Sequence, residues 1–262
     1  MEISVKKVFN NFNKYRFLLW ELVKKDIKLK YRRSYLGILW TLLEPILTAA
    51  VLTYVFSGWY GRGGETFPVY ILTGRLLYTF FSNSTKAAMK SIRSNSAMIK
   101  KVYVPKYIYP FSTILSNYVI FLISLIILFL SMLVFKVNFT IYIFQAIIPL
   151  FLILVLSMGI GMILATMAVF FRDLEYLWSV VLMIIMYTSA IFYDLTDPKF
   201  ADKIWLLKMN PLFDIIYNLR DAVFGAPLDQ EKLIISAAFS FGTLIIGIFL
   251  FYKKQDKFIL NI

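Results

Sequence analysis

Residues 120–134 read IFLISLIILFLSMLV, an apolar run with no charged side chain on any helical face. A strand of a half-buried sheet or an outer-membrane barrel would instead alternate polar and apolar residues, so this run predicts a helix. The whole stretch, residues 109–135, exceeds the roughly 20 helical residues that cross a hydrocarbon core of about 30 Å. The sequence therefore predicts a membrane-spanning α-helix here.

Five other stretches have the same character. The six predicted spans are residues 37–57, 66–85, 109–135, 142–170, 174–193 and 232–252. Hydrophobic residues make up 60% of the 262-residue chain and charged residues 16%, which is more apolar surface than one soluble core can bury. We expect an all-α integral membrane protein, with residues 1–36 forming a cytoplasmic amphipathic helix and residues 37–262 a six-helix transmembrane domain.

The distribution of positive charge predicts how the chain is oriented. Most of the 28 lysines and arginines lie before the first span, between residues 86 and 106, at Arg172 and after the last span. Because basic loops remain on the cytoplasmic side, we expect a multi-pass protein of the inner or plasma membrane with both termini in the cytoplasm. The net charge of +13 then reflects residues that flank spans, which argues against nucleic-acid binding.

Two segments on the basic side have structure of their own. Between Phe12 and Tyr31, apolar residues recur at helical spacing among lysines, which is typical of an amphipathic helix in the inner membrane interface. This helix is either a topology anchor or a contact for a partner. Residues 86–106 carry basic residues and no acidic one, and Pro105 must interrupt the short helical stretch that follows Ser84. This segment is either a compact lever or a solvated loop attracted to anionic lipids.

The longest external segment lies between the fifth and sixth predicted spans and contains nearly half of the 15 acidic residues. Within it, Asp197-Pro198 and Asn210-Pro211 each place proline at the first helical position after an N-cap residue. We expect two short, half-buried external helices, over about 198–209 and 211–224.

The chemistry available to the chain is limited. It has no cysteine and no histidine, which removes thiol nucleophiles, disulfides and most zinc sites. It also lacks a G-x-x-x-x-G-K-[ST] phosphate loop, and no paired carboxylates or Ser/Lys dyad stand at catalytic spacing. We therefore expect no catalytic residue, no metal site and no cofactor in this chain, which is not expected to be an enzyme.

Two charged residues lie inside predicted spans, where charge is costly. Glu44 and Arg75 are at similar depths in the first and second spans. We hypothesise that they form an ion pair across antiparallel helices, either as a purely structural contact or as the border of a polar path.

Aromatic and small residues in the spans suggest further roles. Aromatic rings that face the interior would offer sugar rings an apolar contact surface that does not require hydrogen bonds at fixed positions. The candidate pore or gate aromatics are Tyr54, Tyr78, Phe81, Tyr187 and Tyr193. Small residues in the fourth span are expected to permit close helix packing. They are Ser157, Gly159, Gly161 and Ala165.

Four segments in order resemble those of ABC-2 type permeases that export cell-surface polysaccharide, a family that includes O-antigen, capsule and teichoic-acid exporters. They are KDIKLKYRRSYLGILW at residues 25–40, NSAMIKKVYVP at 95–105, FFRDL at 170–174 and MNPLFDIIYNLR at 209–220. The resemblance implies a permease for lipid-linked glycan. It would be a homodimer in contact with membrane lipids, paired with two separate ATP-binding subunits. Those subunits would bind the ATP and Mg²⁺.

The resemblance also implies which residues couple ATP hydrolysis in the partner subunit to transport, and where the pore lies. Coupling to the ATPase would fall on Ser94, Asn95, Lys100, Lys101, Val104, Pro105, Arg172 and Asp173. The pore would lie between two protomers, lined partly by the first, second and fifth spans. Two alternatives remain open: an ABC-2 exporter of a small amphiphile or drug, and a membrane-embedded enzyme acting on lipid-linked sugars.

Overall fold

The computed structural model describes residues 5–32, 34–60, 65–102, 104–192 and 210–261, and all regular secondary structure in these ranges is helical. The α-helices are α1 (Val5–Tyr31), α2 (Trp40–Tyr60), α3 (Phe67–Ser94), α4 (Ser96–Ile99), α5 (Ile108–Val134), α6 (Ile147–Phe170), α7 (Leu174–Thr188), α8 (Pro211–Phe224) and α9 (Gln230–Lys254). Short 3-10 helices cover Gly37–Leu39, Ile141–Ala146 and Gln255–Leu260.

The described helices include one at the position of every predicted span, which confirms the all-helical membrane class. Within the described ranges, four helical segments are long and apolar enough to cross a membrane: Gly37–Val55, Ile108–Val134, Ile141–Phe170 and Gln230–Asn261. The apolar helix α7 is shorter, and α3 carries basic residues along its length. The count of six spans therefore stays a prediction, and it depends on α3 and α7.

Helix α3 is the central element of the bundle. It packs against α2, α5, α6, α7 and α8, and its buried residues extend from Val69 to Ile92. The predicted span at 66–85 and the separate helical stretch after Ser84 are one continuous helix, because no proline occurs after Pro68 to interrupt it. We call the end of the bundle at Ser94 the basic end and the opposite end the distal end.

Two clusters of apolar side chains hold the helices together. The larger one joins α3, α5, α6 and α8 through residues such as Leu77, Ile114, Ile153 and Ile216. The smaller one, at the basic end, gathers side chains from seven elements: Leu22, Ile92, Ile99, Ile108, Tyr109, Met162, Ala165, Val169, Phe251 and Phe258. Helix α1 therefore packs on the protein through its apolar face, in addition to the interface position expected from its sequence.

Helix α8 confirms the helix predicted over residues 211–224, with the same bounds, while its external location stays a prediction. The Asn210 side chain accepts a hydrogen bond from the Leu212 backbone N–H at 3.0 Å, and Gly225 ends the helix with a φ of 84°. The expectation of a half-buried helix is wrong, because α8 packs against α3, α6 and α9 and most of its residues are buried. The other predicted helix, 198–209, lies outside the described residues.

Glycines allow α6 and α9 to approach closely, as the small-residue patch in the fourth span predicted. A Cβ atom on Gly159 would lie 2.5 Å from the Leu244 backbone nitrogen, and one on Gly247 would lie 2.5 Å from the Gly159 carbonyl oxygen. The two backbones are therefore in contact, which only glycine permits at these positions.

We predict that Gly159→Ala lowers the free energy of unfolding by about 1–3 kcal/mol, because the added methyl must push α9 away. Thermal unfolding of the detergent-purified chain measures the effect. Gly242→Ala is the matched control on α9, since a Cβ there would meet nothing within 4 Å. The control should be as stable as the parent or more so, because alanine favours a helix over glycine. Equal stability of the two variants would contradict the close approach.

Candidate functional site

A polar cleft opens between α2, α3, α5 and the end of α1. Its volume is about 120 Å³, enough for several water molecules. Its polar lining comes from Lys30, Tyr31, Thr41, Glu44, Thr48, Arg75, Thr79, Asn83, Asn117 and Ser124. Charged groups at membrane depth normally face protein or water rather than lipid, so this cleft is the candidate polar path of the chain.

A proline in α2 shapes one wall of the cleft. Pro45 has no N–H, so the carbonyl of Thr41 one turn earlier loses its helical donor. The Ser124 hydroxyl on α5 donates to that Thr41 oxygen at 3.1 Å. The irregular backbone of α2 is thereby satisfied from the neighbouring helix.

Glu44 and Arg75 both line the cleft, but the described ion pairs within 4.0 Å do not include them. Arg75 instead donates to the Met186 sulfur at 3.9 Å. Glu44 also acts on Lys30: burial lowers the pKa of Lys30, and the charge of Glu44 opposes that change. The direct contact is absent in this conformation, so pairing across the cleft stays a prediction.

The candidate pore aromatics separate into two groups. Tyr78 and Phe81 are core residues with 9% and 1% exposure, so in this conformation their rings offer no surface to a sugar, and their role at a pore stays a prediction. Tyr54 and Tyr187 lie at the surface of the chain, with 84% and 59% exposure. Tyr193 lies outside the described residues.

The predicted coupling residues form a compact projection at the basic end. Ser94 is the last residue of α3, and the Asn95 amide closes that helix by donating to the Ser91 carbonyl at 2.8 Å. Ile99, in α4, is buried in the smaller apolar cluster, and Val104 packs against the same cluster. Lys100 and Lys101 are exposed, and Pro105 is half-buried. We call the predicted coupling residues from Ser94 to Pro105 the coupling segment. It is anchored by Ile99 and Val104 on one side and presents the cations Lys100 and Lys101 on the other.

A second part of the basic end was missed by sequence reasoning. Lys106 donates to the Gln255 carbonyl at 2.6 Å, and the fully buried Phe258 ring contacts those of Phe170 and Phe251. The chain after α9 therefore folds back beneath the coupling segment. The available signal was an isolated phenylalanine after the lysine pair that ends the last span.

The turn at Arg172 and Asp173 lies beside the end of α3. Both residues are exposed, as the coupling hypothesis requires. Lys90 forms an ion pair with Glu175 at 2.9 Å, and Arg93 donates to the Ala168 carbonyl on the other side of the turn. The structure therefore brings both predicted coupling regions together through α3. The sequence indicated Lys90 and Arg93 only as topology-determining charges.

At the distal end, α8 holds the end of α7 through two polar side chains. The buried Arg220 guanidinium donates to the carbonyls of Ala190 at 3.0 Å and Tyr70 at 3.2 Å, and it stacks on the Tyr70 ring at 3.5 Å. The Asn210 amide donates to the Ile185 carbonyl at 3.2 Å. Arg220 and Asn210 thus donate to carbonyls in the last turn of α7 and directly after it.

A model of the ABC-2 type transporter family matches residues 18–224 of the chain, from α1 to the end of α8. The chain belongs to the ABC-2 type transporter family. The four sequence segments that resembled the family all lie within the matched region.

Similar proteins align with this ABC-2 chain over nearly its whole length. The O-antigen export system permease protein RfbA of Klebsiella pneumoniae is 27% identical over 245 residues, which is 92% of this chain and 93% of the relative. RfbA of Myxococcus xanthus is 26% identical over 246 residues, covering 93% and 95%. The polysialic acid transport protein KpsM of Escherichia coli is 25% identical over 251 residues, covering 90% and 92%.

In the described part of the ABC-2 chain, no three acidic residues approach closely enough to hold a metal ion. Asp229 at the start of α9 has a structural role. Asp229 caps α9 by accepting from the Lys232 backbone N–H at 3.2 Å, and its side chain also bonds the Lys232 ammonium, which lowers the pKa of Asp229.

We predict that Arg220→Ala destabilises the ABC-2 chain by about 2–4 kcal/mol, since buried carbonyls lose a charged donor. The free energy of unfolding in detergent is the measurement. Arg172→Ala removes the same charge from an exposed turn and should change it by less than about 0.5 kcal/mol. Similar losses in both variants would contradict a role for Arg220 in joining α7 and α8.

We also predict a pH-dependent effect at Asp221 of α8. Burial raises the pKa of Asp221 from 3.8 to about 6, with Lys232 opposing and Asp229 adding to the rise. Because the folded-state pKa is the higher one, ionisation at neutral pH destabilises the fold, and stability increases as the pH falls from about 6 toward 4. Asp221→Asn should therefore stabilise the chain at pH 7.5 by about 1–3 kcal/mol and should have no effect near pH 4.

Unfolding curves of the parent and the Asp221→Asn variant at both pH values test this. Asp173→Asn, in an exposed turn, is the control for the loss of a carboxylate. A stabilisation that is the same at pH 4 and pH 7.5 would contradict the assignment to ionisation of Asp221.

Proposed function

We propose that this chain is the transmembrane permease subunit of an ABC transporter that exports lipid-linked cell-surface polysaccharide across the cytoplasmic membrane. The observation that carries the proposal is the alignment over at least 90% of both chains with permeases and transport proteins named for O-antigen and polysialic acid. A match that covers both proteins almost completely supports a shared cargo class more strongly than membership of the family alone.

The energy for export would come from a separate ATP-binding subunit. The sequence has no phosphate loop, so the chain needs a partner that hydrolyses ATP. The exposed cations Lys100, Lys101 and Arg172 at the basic end would meet an acidic surface of that partner. The basic end then faces the cytoplasm, in agreement with the positive-inside rule.

The polar path would lie between two copies of the chain. Glu44 is exposed on α2 beside exposed apolar side chains such as Leu47 and Val51. Contact with lipid is unfavourable for its carboxylate. The outward face of α7 is also bare, with Leu177, Val180 and Ile184 exposed. A second copy packed beside these faces would cover apolar surface and enclose the polar cleft. Tyr54 and Tyr187 would then border the glycan route.

An exporter of a small amphiphile is the alternative that the fold permits. Membrane vesicles that contain the chain and its ATP-binding subunit distinguish the two, with undecaprenyl-linked glycan and a fluorescent amphiphile as cargos. The proposal predicts ATP-dependent transport of the glycan alone. Transport of the amphiphile alone would contradict it. Covalent change of the glycan without ATP would instead support the membrane-embedded enzyme.

We predict that Lys100→Ala combined with Lys101→Ala reduces glycan exported per ATP hydrolysed by about fivefold or more, a typical size for coupling between sites. The reason is that the partner loses its ionic contact with the coupling segment. Surface glycan and ATP hydrolysis are measured in the same vesicles.

The matched control is Lys253→Ala combined with Lys254→Ala, which removes two exposed positive charges from the same end of the bundle. The control should export normally. Equal losses in both double variants would show that net charge matters and that the coupling segment does not.

A further inference from the structure

Helix α7 is attached to the bundle mainly by one face. Trp178 and Leu182 on that face are buried, while Tyr176, Val180 and Ile184 on the other faces are exposed. The buried face meets α3, which runs antiparallel to α7. Contacts with α3, together with those from α6 and from Asn210 and Arg220 at the distal end, therefore determine where α7 lies.

Polar contacts connect α3 and α7 at five successive levels. From the basic end, Lys90 Nζ lies 2.9 Å from Glu175 Oε2, Trp178 Nε1 donates to Thr85 Oγ1 at 3.1 Å, and Tyr78 OH donates to the Leu182 carbonyl at 3.0 Å. Nearer the distal end, Arg75 Nη1 donates to Met186 Sδ at 3.9 Å, and Tyr70 OH donates at 3.4 Å to the carbonyl of Ala190, two residues after the end of α7. We call this set of contacts the α3–α7 ladder.

Such a ladder resists sliding in a way that apolar packing does not. A hydrogen bond weakens steeply with distance and angle, and an unpaired polar group away from water is costly. Moving α7 along α3 by one helical residue, about 1.5 Å, would disturb all five levels together. The low-energy motion therefore carries both helices together.

The end of the ladder at Glu175 is its ionic level. Glu175 Oε1 also lies 3.9 Å from Arg93 Nη1, so one carboxylate faces two cations of α3. Arg93 in turn donates to the Ala168 carbonyl, which fixes it beside the turn between α6 and α7. Lys90 and Arg93 lie on the last turns of α3, directly before the coupling segment.

We infer that α3 and α7 move as one body during transport, and that Glu175 is the positioning residue that ties α7 to the coupling end of α3. The inference rests on the proposed export function and deepens it. A displacement of residues 94–105 by the ATP-binding subunit would pass along unbroken α3 and through Glu175 to α7, at the border of the proposed path. Asn210 and Arg220 would carry it on to α8.

The absence of native cysteine makes a direct test possible. In Lys90→Cys combined with Glu175→Cys, the ionic level is removed, and we expect about a fivefold loss of glycan exported per ATP. A short bifunctional thiol reagent that bridges the two cysteines should restore most of the coupling. Each single-cysteine variant treated with the same reagent is the control and should not recover. Unfolding curves of all variants establish that they are folded.

Three outcomes would overturn the inference. Normal export by the unbridged double variant would mean that Glu175 is not needed. Failure of an efficiently bridged, folded variant to recover would mean that α3 and α7 must separate. Recovery of the single-cysteine controls would mean that the reagent acts without joining the helices.

A second readout separates this inference from the proposed function, because it requires no glycan. Spin labels on Asn83→Cys of α3 and Tyr176→Cys of α7, both exposed positions, report the distance between the helices with and without ATP and the partner subunit. One unchanged distance supports joint motion, and a nucleotide-dependent change contradicts it. A parent chain that exports no glycan would contradict the proposed function instead.

Discussion

The fold depends on one constraint: the polar side chains of α3 must be satisfied inside a bundle of apolar helices. Arg75, Tyr78, Thr85, Lys90 and Arg93 all project from this helix, and lipid offers none of them a partner. The surrounding elements supply the partners. Helix α7 provides acceptors along its length, and the cleft toward α2 and α5 provides a polar space around Arg75. The most polar of the helices at the predicted spans is therefore also the most central one.

This arrangement links the two ends of the molecule. At the basic end, Phe258 and Ile99 fix the coupling segment against α1, α5 and α6 in a dry cluster. At the distal end, Arg220 draws together the start of α3 and the end of α7. Close contact between α6 and α9 forms a rigid support on the other side of α3. A bundle built in this way can transmit a displacement from one end to the other without unfolding any helix.

Local signals were sufficient to predict most of the elements. The apolar runs of α5 and α6, the Asn210-Pro211 start of α8 and the glycines of α6 each act within one or two helical turns, so the sequence alone reveals them. What it could not reveal is the rotation of each helix about its own axis. Tyr78 and Phe81 therefore appeared equivalent to Tyr54, although their side chains lie in the core. Glu175 and Phe258 escaped notice for a related reason, since Lys90 and Phe170, which they contact, lie more than 80 residues away in the chain.

The central claim is that the coupling segment faces the cytoplasm, where an ATP-binding subunit can reach it. Because the chain contains no cysteine, single substitutions give an unambiguous label. Lys101→Cys marks the basic end and Gln230→Cys the distal end, and both positions are exposed. A membrane-impermeant maleimide should label Gln230→Cys in intact cells, or in spheroplasts where an outer membrane is present, and should label Lys101→Cys only after the cytoplasmic membrane is permeabilised. Labelling of Lys101→Cys before permeabilisation, with Gln230→Cys protected, would contradict the account.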